Sequence, residues 1–307
     1  MKVALMIIYN HRYDKNIEKI EALLKGKFSN IYHIIPFYDG TKENVITIYE
    51  SSFFFSGYIA QAYEKIKNQN FTHFIFTADD IIINPIINEN NFLEIIGLKD
   101  NESFIPKFIE FGVKTKEIWP RIGDAIKYNP YNVSSGAEIK TILPSYTIAK
   151  EYFRKYDLNK SFSIPFIKAL RNLISMHSIY HSYIYTLMPA LIKLIKHPFS
   201  EYKLNYPLVG SYSDFFITTA DVMPKFSQYC GAFAATNLFV EIAIPTALVL
   251  AATNIKTEKD TILKGKAFWN NEIEQQCQKY HYRLEELLNN FPKEQIYHHP
   301  VKLSKWK

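Results

Sequence analysis

FTHFIFTADDIIINP, residues 71–85, places two adjacent carboxylates, Asp79 and Asp80, between two apolar runs. The first run, residues 71–77, has the length and the apolar character of a buried strand. Neighbouring carboxylates repel each other, and a divalent cation or a shared proton relieves that repulsion. A turn or a helix cap is the structural alternative for such a pair. The stretch therefore predicts a strand that leads into a candidate cation or proton site.

Two more apolar runs of strand length lie upstream and alternate with amphipathic segments. They are VALMIIY (3–9) and IYHIIPF (31–37), and apolar residues at helical spacing mark 14–28 and 57–69. Strands that alternate with helices are typical of βαβ units. The sequence therefore predicts an α/β fold with a mainly parallel sheet flanked by helices.

Each of the three predicted strands is followed at once by polar residues. Ligands of parallel sheets bind outside the carboxyl ends of the strands, so this rim is the predicted binding site. Ordinary turn or loop roles stay open for every position outside the Asp pair. The residues concerned are Tyr9 and Asn10 after the first strand, Asp39 after the second, and Asp79 and Asp80 after the third.

The composition predicts a compact globular protein and disfavours several kinds of partner. The 307-residue chain is 48% hydrophobic and 16% aromatic, with a net charge of +6. Its basic residues are scattered, which argues against nucleic acid, whereas an anionic membrane surface or a phosphorylated ligand fits the charge. Cys230 and Cys277 have no metal-binding spacing and indicate a reducing compartment. Residues 1–14 lack a signal-peptide cleavage pattern, so we predict a cytoplasmic protein.

The middle of the chain departs from the alternating pattern. Residues 105–146 contain short apolar pieces broken by Pro, Gly and Asn, which predict an irregular sheet extension and loops. Residues 158–200, the basic insert, contain five basic residues and no acidic one. The insert is predicted to be helical. It would form either buried or partly exposed helices, or an amphipathic hairpin on an anionic bilayer.

Two isolated carboxylates in the C-terminal half are candidates for chemistry on an acceptor. Asp214 is predicted to lie at a strand end or in a loop within 208–226 and to face the cleft. Glu241 is the single charge of the apolar segment 230–254, predicted to be helical, and would be more deeply buried. A carboxylate in such surroundings is paired, protonated or used. Capping by Asp214 and an ion pair for Glu241 are the structural alternatives.

A charged amphipathic helix is predicted over 271–291, and a tail with two histidines follows it. At this point the chain resembles the GT-A fold glycosyltransferases, which use nucleotide-diphosphate sugars. VALMIIYNHR (3–12) looks like their first nucleotide-binding strand, and FIFTADDIIINP (74–85) like the strand that delivers an Asp-x-Asp type metal motif. YHHPVKLSKW (297–306) is similar to the His-containing tail of glycogenin-like members. Ala78 stands where the motif has its first Asp, and the tail departs from the glycogenin-like pattern.

The resemblance implies roles for the residues in these stretches. Asp80 would bind Mn²⁺ or Mg²⁺ most directly, while Asp79 would reach the ribose or a water near the ion. His299 is preferred to His298 as a further ligand, because it precedes Pro300 and lies closer to the Lys and Trp of the tail. Such an ion would stabilise the negative charge of the departing diphosphate. The remaining candidates for nucleotide binding are Tyr9, Asn10, Asp39, Lys302 and Lys305.

Together these features predict a single-domain hexosyltransferase of GT-A type over 1–307, with the basic insert 158–200 inside it. It would transfer a sugar from a UDP-linked donor to a glycan or lipid-linked glycan, with Asp214 or Glu241 activating or positioning the acceptor. The basic insert predicts contact with the inner face of the membrane, as in polysaccharide assembly. Two alternatives stay open: a metal-dependent nucleotidyltransferase, and a noncatalytic protein that binds nucleotide sugars or glycans. The lack of Gly in YNHRYDKN (9–16) argues against the first.

Overall fold

The computed structural model describes the strands and helices of residues 1–113, 121–131, 137–166, 168–169, 188, 192, 195–196 and 201–307. The predicted strands 3–9, 31–37 and 71–77 are present, with ends shifted by one or two residues. The strands are β1 (Val3–Ile8), β2 (Ile31–Pro36), β3 (Val45–Ile48), β4 (His73–Ala78), β5 (Ile82–Ile83), β6 (Ser103–Phe104), β7 (Ser163–Ile164), β8 (Tyr202–Lys203), β9 (Phe215–Thr219), β10 (Ile255–Lys256), β11 (Lys264–Ala267) and β12 (Gln295–His299).

The helices include both segments predicted upstream of the Asp pair. A 3₁₀ turn, Asp14–Asn16, leads into the first of them. The helices are α1 (Ile17–Leu24), α2 (Ser56–Ile66), α3 (Phe92–Ile96), α4 (Ile122–Lys127), α5 (Ala137–Ile142), α6 (Tyr146–Lys155), α7 (Met223–Ala235), α8 (Val240–Ala251), α9 (Asn271–Lys279) and α10 (Leu284–Asn289).

A seven-stranded sheet organises the described residues. Its order is β10-β6-β9-β4-β1-β2-β3. All neighbouring pairs are parallel except those that involve β9, which runs antiparallel to β4 and β6. The predicted α/β class, with a mostly parallel sheet flanked by helices, is therefore confirmed. The short edge strand β3 was missed because its four residues alternate in burial and carry no turn signal of their own.

The continuous apolar run of β1 is explained by the burial of both faces of the sheet. Successive side chains of a strand point to opposite faces. Leu5 packs in a core that includes Ile17 and Ile20 of α1, whereas Met6 packs in a second core with residues of α2 and α7. Parallel strands with helices on both faces have this composition, because no position on them faces water.

A second, smaller sheet joins the C-terminal tail to the strand that follows the Asp pair. Its order is β11-β12-β5, with β12 antiparallel to β5 and parallel to β11. Tyr297 lies opposite Ile83, and His298 lies opposite Ile82. The tail therefore folds back onto the residues next to Asp79 and Asp80.

Two predicted helices are each interrupted. The prediction of one helix over 230–254 was wrong, because α7 ends at Ala235 and Asn237 adopts a left-handed conformation (φ 57°) before α8 begins. The prediction over 271–291 was wrong for a similar reason. His281 and Tyr282 have φ values of 52° and 56°, and they separate α9 from α10. Consecutive left-handed residues stop the α-helical hydrogen-bond ladder.

The prediction for 105–146 was also incomplete. The segment contains α4 and α5, together with a bridge between Ile109 and Gly210. In α4, Ile122, Ala125 and Ile126 are buried at the spacing of one helix face. The Pro and Gly residues near α4 hid this short periodicity in the sequence. Residues 114–120 and 132–136 of this segment lie outside the described part of the chain.

Most of the basic insert, 158–200, lies outside the described residues, so its predicted helices are not addressed. Its first residues include a strand, Ser163–Ile164, that pairs antiparallel with Tyr202–Lys203 just after the insert. Among the residues that the structure describes, no helix has both the length and the apolar character needed to cross a bilayer.

Candidate functional site

The topology places a cleft beside the Asp pair. β2 follows β1 on one side and β4 lies on the other, so the strand order reverses at the carboxyl ends of β1 and β4. Crevices at such switch points are where open α/β sheets bind ligands. A cleft of about 340 Å³, the switch-point cleft, lies here. Its lining residues are Asn10, His11, Tyr13, Asn16, Asp79, Asp80, Lys302, Leu303 and Ser304.

Asp79 lines this cleft and is held in place by two hydrogen bonds. Its backbone N–H donates to the Ile8 carbonyl at 3.0 Å, and the Asn16 amide donates to its Oδ2 at 3.3 Å. The residue is only 7% exposed. Burial and the neighbouring Asp80 raise the pKa of Asp79 to about 7. A cation near this carboxyl group would favour its ionised form.

His299 reaches Asp80 because β12 lies against β5. The Val301 N–H donates to the Asp80 carbonyl at 2.6 Å, and His299 Nε2 lies 3.3 Å from Asp80 Oδ1. Burial lowers the pKa of His299, but Asp80, Asp214 and Asp79 outweigh burial, so the pKa is raised overall. The imidazole therefore lies in the field of three carboxylates.

His298 points away from this pair and into the core. It is 0% exposed and packs against Phe268, Tyr280 and Phe291, with ring centroids 4.6, 6.1 and 6.4 Å away. Burial lowers its pKa to about 4, so the ring is neutral near pH 7. Successive residues of a strand face opposite sides. Of the two histidines, His299 is therefore the one that faces the Asp pair.

Asp214 joins the same rim from an antiparallel strand. Of the two predicted positions, a strand end or a loop, the structure has the loop: Asp214 directly precedes β9. Because β9 is antiparallel to β4, its first residue lies at the carboxyl end of β4, and the Ala78 N–H donates to the Asp214 carbonyl at 2.8 Å. Burial of the carboxyl group raises the pKa of Asp214, the charge of His299 lowers it and the charge of Asp80 raises it further. We call Asp79, Asp80, Asp214 and His299 the carboxylate–imidazole cluster.

Glu241 has a different position. It lies in the first turn of α8, where the helix dipole favours a negative charge. Its backbone carbonyl accepts from the Ser211 N–H at 2.9 Å, three residues before Asp214. Both carboxylates are half-buried, so the expected deeper burial of Glu241 was wrong. The structure brings Asp214, rather than Glu241, to the cluster.

The other predicted nucleotide-binding residues are spread around the cleft. Asn10 and Lys302 line it, whereas Lys305 is exposed and is not among the lining residues. Tyr9 is 0% exposed, and its hydroxyl hydrogen-bonds His33 Nδ1 at 2.8 Å. Because its ring is enclosed by the core, Tyr9 supports the rim from beneath and offers no surface for a base to stack on.

Asp39 lies at the carboxyl end of β2 and pairs with a basic residue from the loop after β1. Its carboxylate is 75% exposed and contacts the Arg12 guanidinium. Asp39 is not among the residues that line the switch-point cleft. The pair links the first two strand-end loops, and an exposed pair of this kind contributes about 0–1 kcal/mol to stability.

The donor atoms at the rim fit a divalent cation only in part. Two ligands at right angles on an octahedral Mg²⁺ are about 3.0 Å apart, and the 3.3 Å between Asp80 Oδ1 and His299 Nε2 is close to this value. Asp80 Oδ1 is also buried without a well-formed hydrogen bond. Among the described residues, no group of three His, Cys, Asp or Glu side chains could hold a metal by itself. Mg²⁺ in proteins usually takes one or two carboxylates and completes its shell with substrate phosphates and water.

Several residues of the cleft were missed by sequence reasoning. His11, Tyr13 and Asn16 follow β1 in a loop and a 3₁₀ turn that the sequence analysis assigned to loop and helix. Asn16 could have been proposed as a site residue from the sequence, because its amide is the only neutral hydrogen-bonding side chain in the DKN turn. Leu303 and Ser304 enter the cleft only because the tail folds back.

Fold and site together define an α/β protein with a carboxylate–imidazole cluster at the switch point of its sheet. Comparisons with family models, with curated proteins and with solved structures found no match to this chain. The geometry of the cluster and of the cleft is therefore the basis for a functional conclusion.

Proposed function

We propose that this chain is a divalent-metal-dependent glycosyltransferase of GT-A type that uses a nucleotide-diphosphate sugar, UDP-linked, as its donor. One observation carries the proposal. Asp80 and His299, from opposite ends of the sequence, face each other at 3.3 Å beside a cleft at the switch point of a mostly parallel sheet. The resemblance of residues 3–12, 74–85 and 297–306 to GT-A enzymes supports the same function.

Asp80 and His299 would hold Mn²⁺ or Mg²⁺, and the donor phosphates would complete the shell of the ion. A bound ion of this kind stabilises the negative charge that develops on a departing diphosphate. Lys302 lines the cleft and would add a second positive charge near the phosphates. Asp79, whose pKa is about 7, would ionise fully next to the ion and orient Asn16 or a ribose hydroxyl.

Asp214 is the group best placed to act on the acceptor. It lies on the β9 side of β4, whereas the switch-point cleft opens on the β1 side. The pKa of Asp214 is raised, and an ionised carboxylate with a raised pKa takes up a proton more readily than an ordinary one. The acceptor would be a glycan or a lipid-linked glycan.

The proposal predicts that Mn²⁺ strengthens UDP binding and that Asp80→Ala removes this effect. Calorimetric titration of UDP with and without Mn²⁺ should show an affinity gain of about 10- to 100-fold in the unmodified chain, which is within the usual range of coupling between two ligands. Asp221→Ala is the matched control, because Asp221 is an exposed Asp at the opposite end of β9. This control should keep the full Mn²⁺ effect.

Other results of the titration would support the alternatives. Equal UDP affinity with and without Mn²⁺, unchanged in Asp80→Ala, would indicate a noncatalytic binding protein. Metal-dependent binding without turnover of any nucleotide sugar, but with pyrophosphate release from a nucleoside triphosphate and a sugar phosphate, would indicate a nucleotidyltransferase. Donor hydrolysis with a panel of nucleotide sugars separates the transferase from both.

A peripheral position at the inner face of the membrane is a further part of the proposal. It rests on the sequence of the basic insert, where five basic residues are not balanced by any acidic one. We expect the protein to float with vesicles that contain anionic lipid, and to float less as salt screens the attraction. Equal recovery with neutral and anionic vesicles would exclude electrostatic attachment.

A further inference from the structure

Two aromatic rings, of which one is exposed, lie next to the carboxylate–imidazole cluster. Trp269 is 49% exposed, and its ring lies 6.4 Å from the His299 ring at nearly a right angle. Tyr212 is half-buried and packs against Trp269, with centroids 5.7 Å apart and planes at 41°. We call these two residues the aromatic platform.

The fold holds the platform beside the cluster through short backbone connections. Ala267 at the end of β11 lies opposite His299, and the Phe268 N–H donates to the His299 carbonyl at 2.8 Å, so Trp269 follows directly. Tyr212 precedes Asp214 by two residues. Trp269 therefore follows a strand that pairs with the strand of His299, and Tyr212 lies in the same loop before β9 as Asp214.

The surroundings of the platform are polar and charged. Lys107 Nζ lies 4.5 Å from the centre of the Tyr212 ring. Glu258 lies close enough to Lys107 for that charge to lower its pKa, although burial is the larger effect and raises it. Lys107 covers one face of Tyr212, so the exposed Trp269 ring is the flat surface that the platform offers to a ligand. An aromatic ring with charged groups beside it suits an amphipathic ligand, and suits a purely apolar one less well.

The residue after Trp269 is held in an uncommon backbone conformation. Asn270 has φ 51° and ψ −123°. A non-glycine residue in this region costs on the order of 1–3 kcal/mol, and such residues cluster at ligand sites. Trp269 thus exposes a large indole ring at the turn that leads into α9.

The platform lies on the side of the cluster that the switch-point cleft does not occupy. The cleft is built from the loop after β1, whereas Tyr212 precedes β9, and β1 and β9 flank β4 on opposite sides. Two substrates that react at one centre need to approach it from two sides. With the donor in the cleft, the platform is left for the acceptor.

We propose that the aromatic platform forms the acceptor subsite, in which Trp269 stacks against the pyranose ring of the sugar that receives the transferred group and Tyr212 supports the Trp269 ring. This inference rests on the proposed function and adds the substrate class of the second site. The C–H bonds on one face of a pyranose carry partial positive charge and match the negative face of an aromatic ring. Stacking would leave the ring hydroxyls at the edge, next to Asp214, Lys107 and Glu258.

The test measures sugar binding directly by saturation-transfer difference NMR, with a panel of methyl glycosides and disaccharides at millimolar concentration. Titrations are run on the full chain with and without UDP and Mn²⁺. We expect at least one sugar to bind and Trp269→Ala to weaken it by about tenfold or more, the scale of a truncated aromatic anchor. Trp269→Phe should retain part of the affinity because a smaller ring remains.

Tyr49→Ala is the matched control, because Tyr49 is also exposed and aromatic but follows β3 at the far edge of the sheet. Its sugar affinity should equal that of the unmodified chain. Failure of every sugar to bind under both conditions would overturn the inference. Equal sugar affinity in Trp269→Ala and the unmodified chain would overturn it as well.

The two proposals fail in different ways. Sugar binding that depends on Trp269, without metal-dependent UDP binding, would keep the platform and reject the transferase. Metal-dependent UDP binding that is lost in Asp80→Ala, without sugar binding at Trp269, would keep the transferase and reject the platform.

Discussion

Asp214→Asn is expected to lower the rate of sugar transfer by about 10³-fold, within the usual range for loss of a general base, while metal-dependent UDP affinity stays unchanged. Asparagine keeps the size of the side chain but cannot take a proton. The Ala78 N–H donates to the main-chain carbonyl of residue 214, so the substitution keeps this hydrogen bond. Steady-state kinetics with a fixed donor, together with calorimetric UDP titration, measures both quantities.

Glu241→Gln is the matched control for this experiment. Glu241 is the other carboxylate that the sequence offered, and it differs from Asp214 in lying in the first turn of α8. We expect its substitution to change the transfer rate by less than about tenfold, with a small loss of stability from the helix dipole. A large rate loss in Glu241→Gln with little loss in Asp214→Asn would reverse the assignment.

Trp306→Ala is expected to lower the free energy of unfolding by about 3–5 kcal/mol, the usual cost of removing a large buried aromatic ring. Trp306 is 5% exposed and packs 6.2 Å from the Tyr280 ring. Its neighbours Val301 and Leu303 belong to the same core. Loss of the ring leaves a cavity that the surrounding side chains cannot fill completely, and urea unfolding would measure the difference.

Trp269→Ala provides the comparison, because it removes the same side chain from an exposed position. We expect it to change the free energy of unfolding by less than about 1 kcal/mol, as is usual at the surface. Trp306→Ala should also weaken the Mn²⁺ effect on UDP binding, since the tail carries His299. Equal destabilisation by the two substitutions would contradict the view that Trp306 anchors the tail and Trp269 serves a ligand.

Local patterns predicted the parts of the fold that depend on near neighbours in the chain. The apolar runs of β1, β2 and β4 mark strands buried on both faces, and α1 and α2 show helical spacing. The breaks at Asn237 and at His281 and Tyr282 escaped prediction. At the second break, Leu284 N–H donates to the Lys307 carbonyl and Lys307 N–H donates to the Tyr282 carbonyl, and a local pattern does not encode such contacts with the end of the chain.

The candidate site, too, could be predicted from local patterns only in part. Asp79, Asp80 and Asn10 could be placed at one rim from the sequence, because the carboxyl ends of parallel strands share an edge. The roles of Tyr9 and Asp39 could not be decided in this way. Whether a residue after a strand turns into the core or into solvent depends on the helices packed beneath it.

The class of the fold and the rim that carries the Asp pair could be inferred from local patterns, because both follow from periodicity and from the direction of parallel strands. The presence of Asp214 and His299 at that rim became known only from the folded chain. Asp214 arrives there because β9 runs antiparallel to β4, and His299 because β12 pairs with β5. Strand direction and the pairing of distant segments are set by the packing of the whole chain, and no short stretch of residues encodes them.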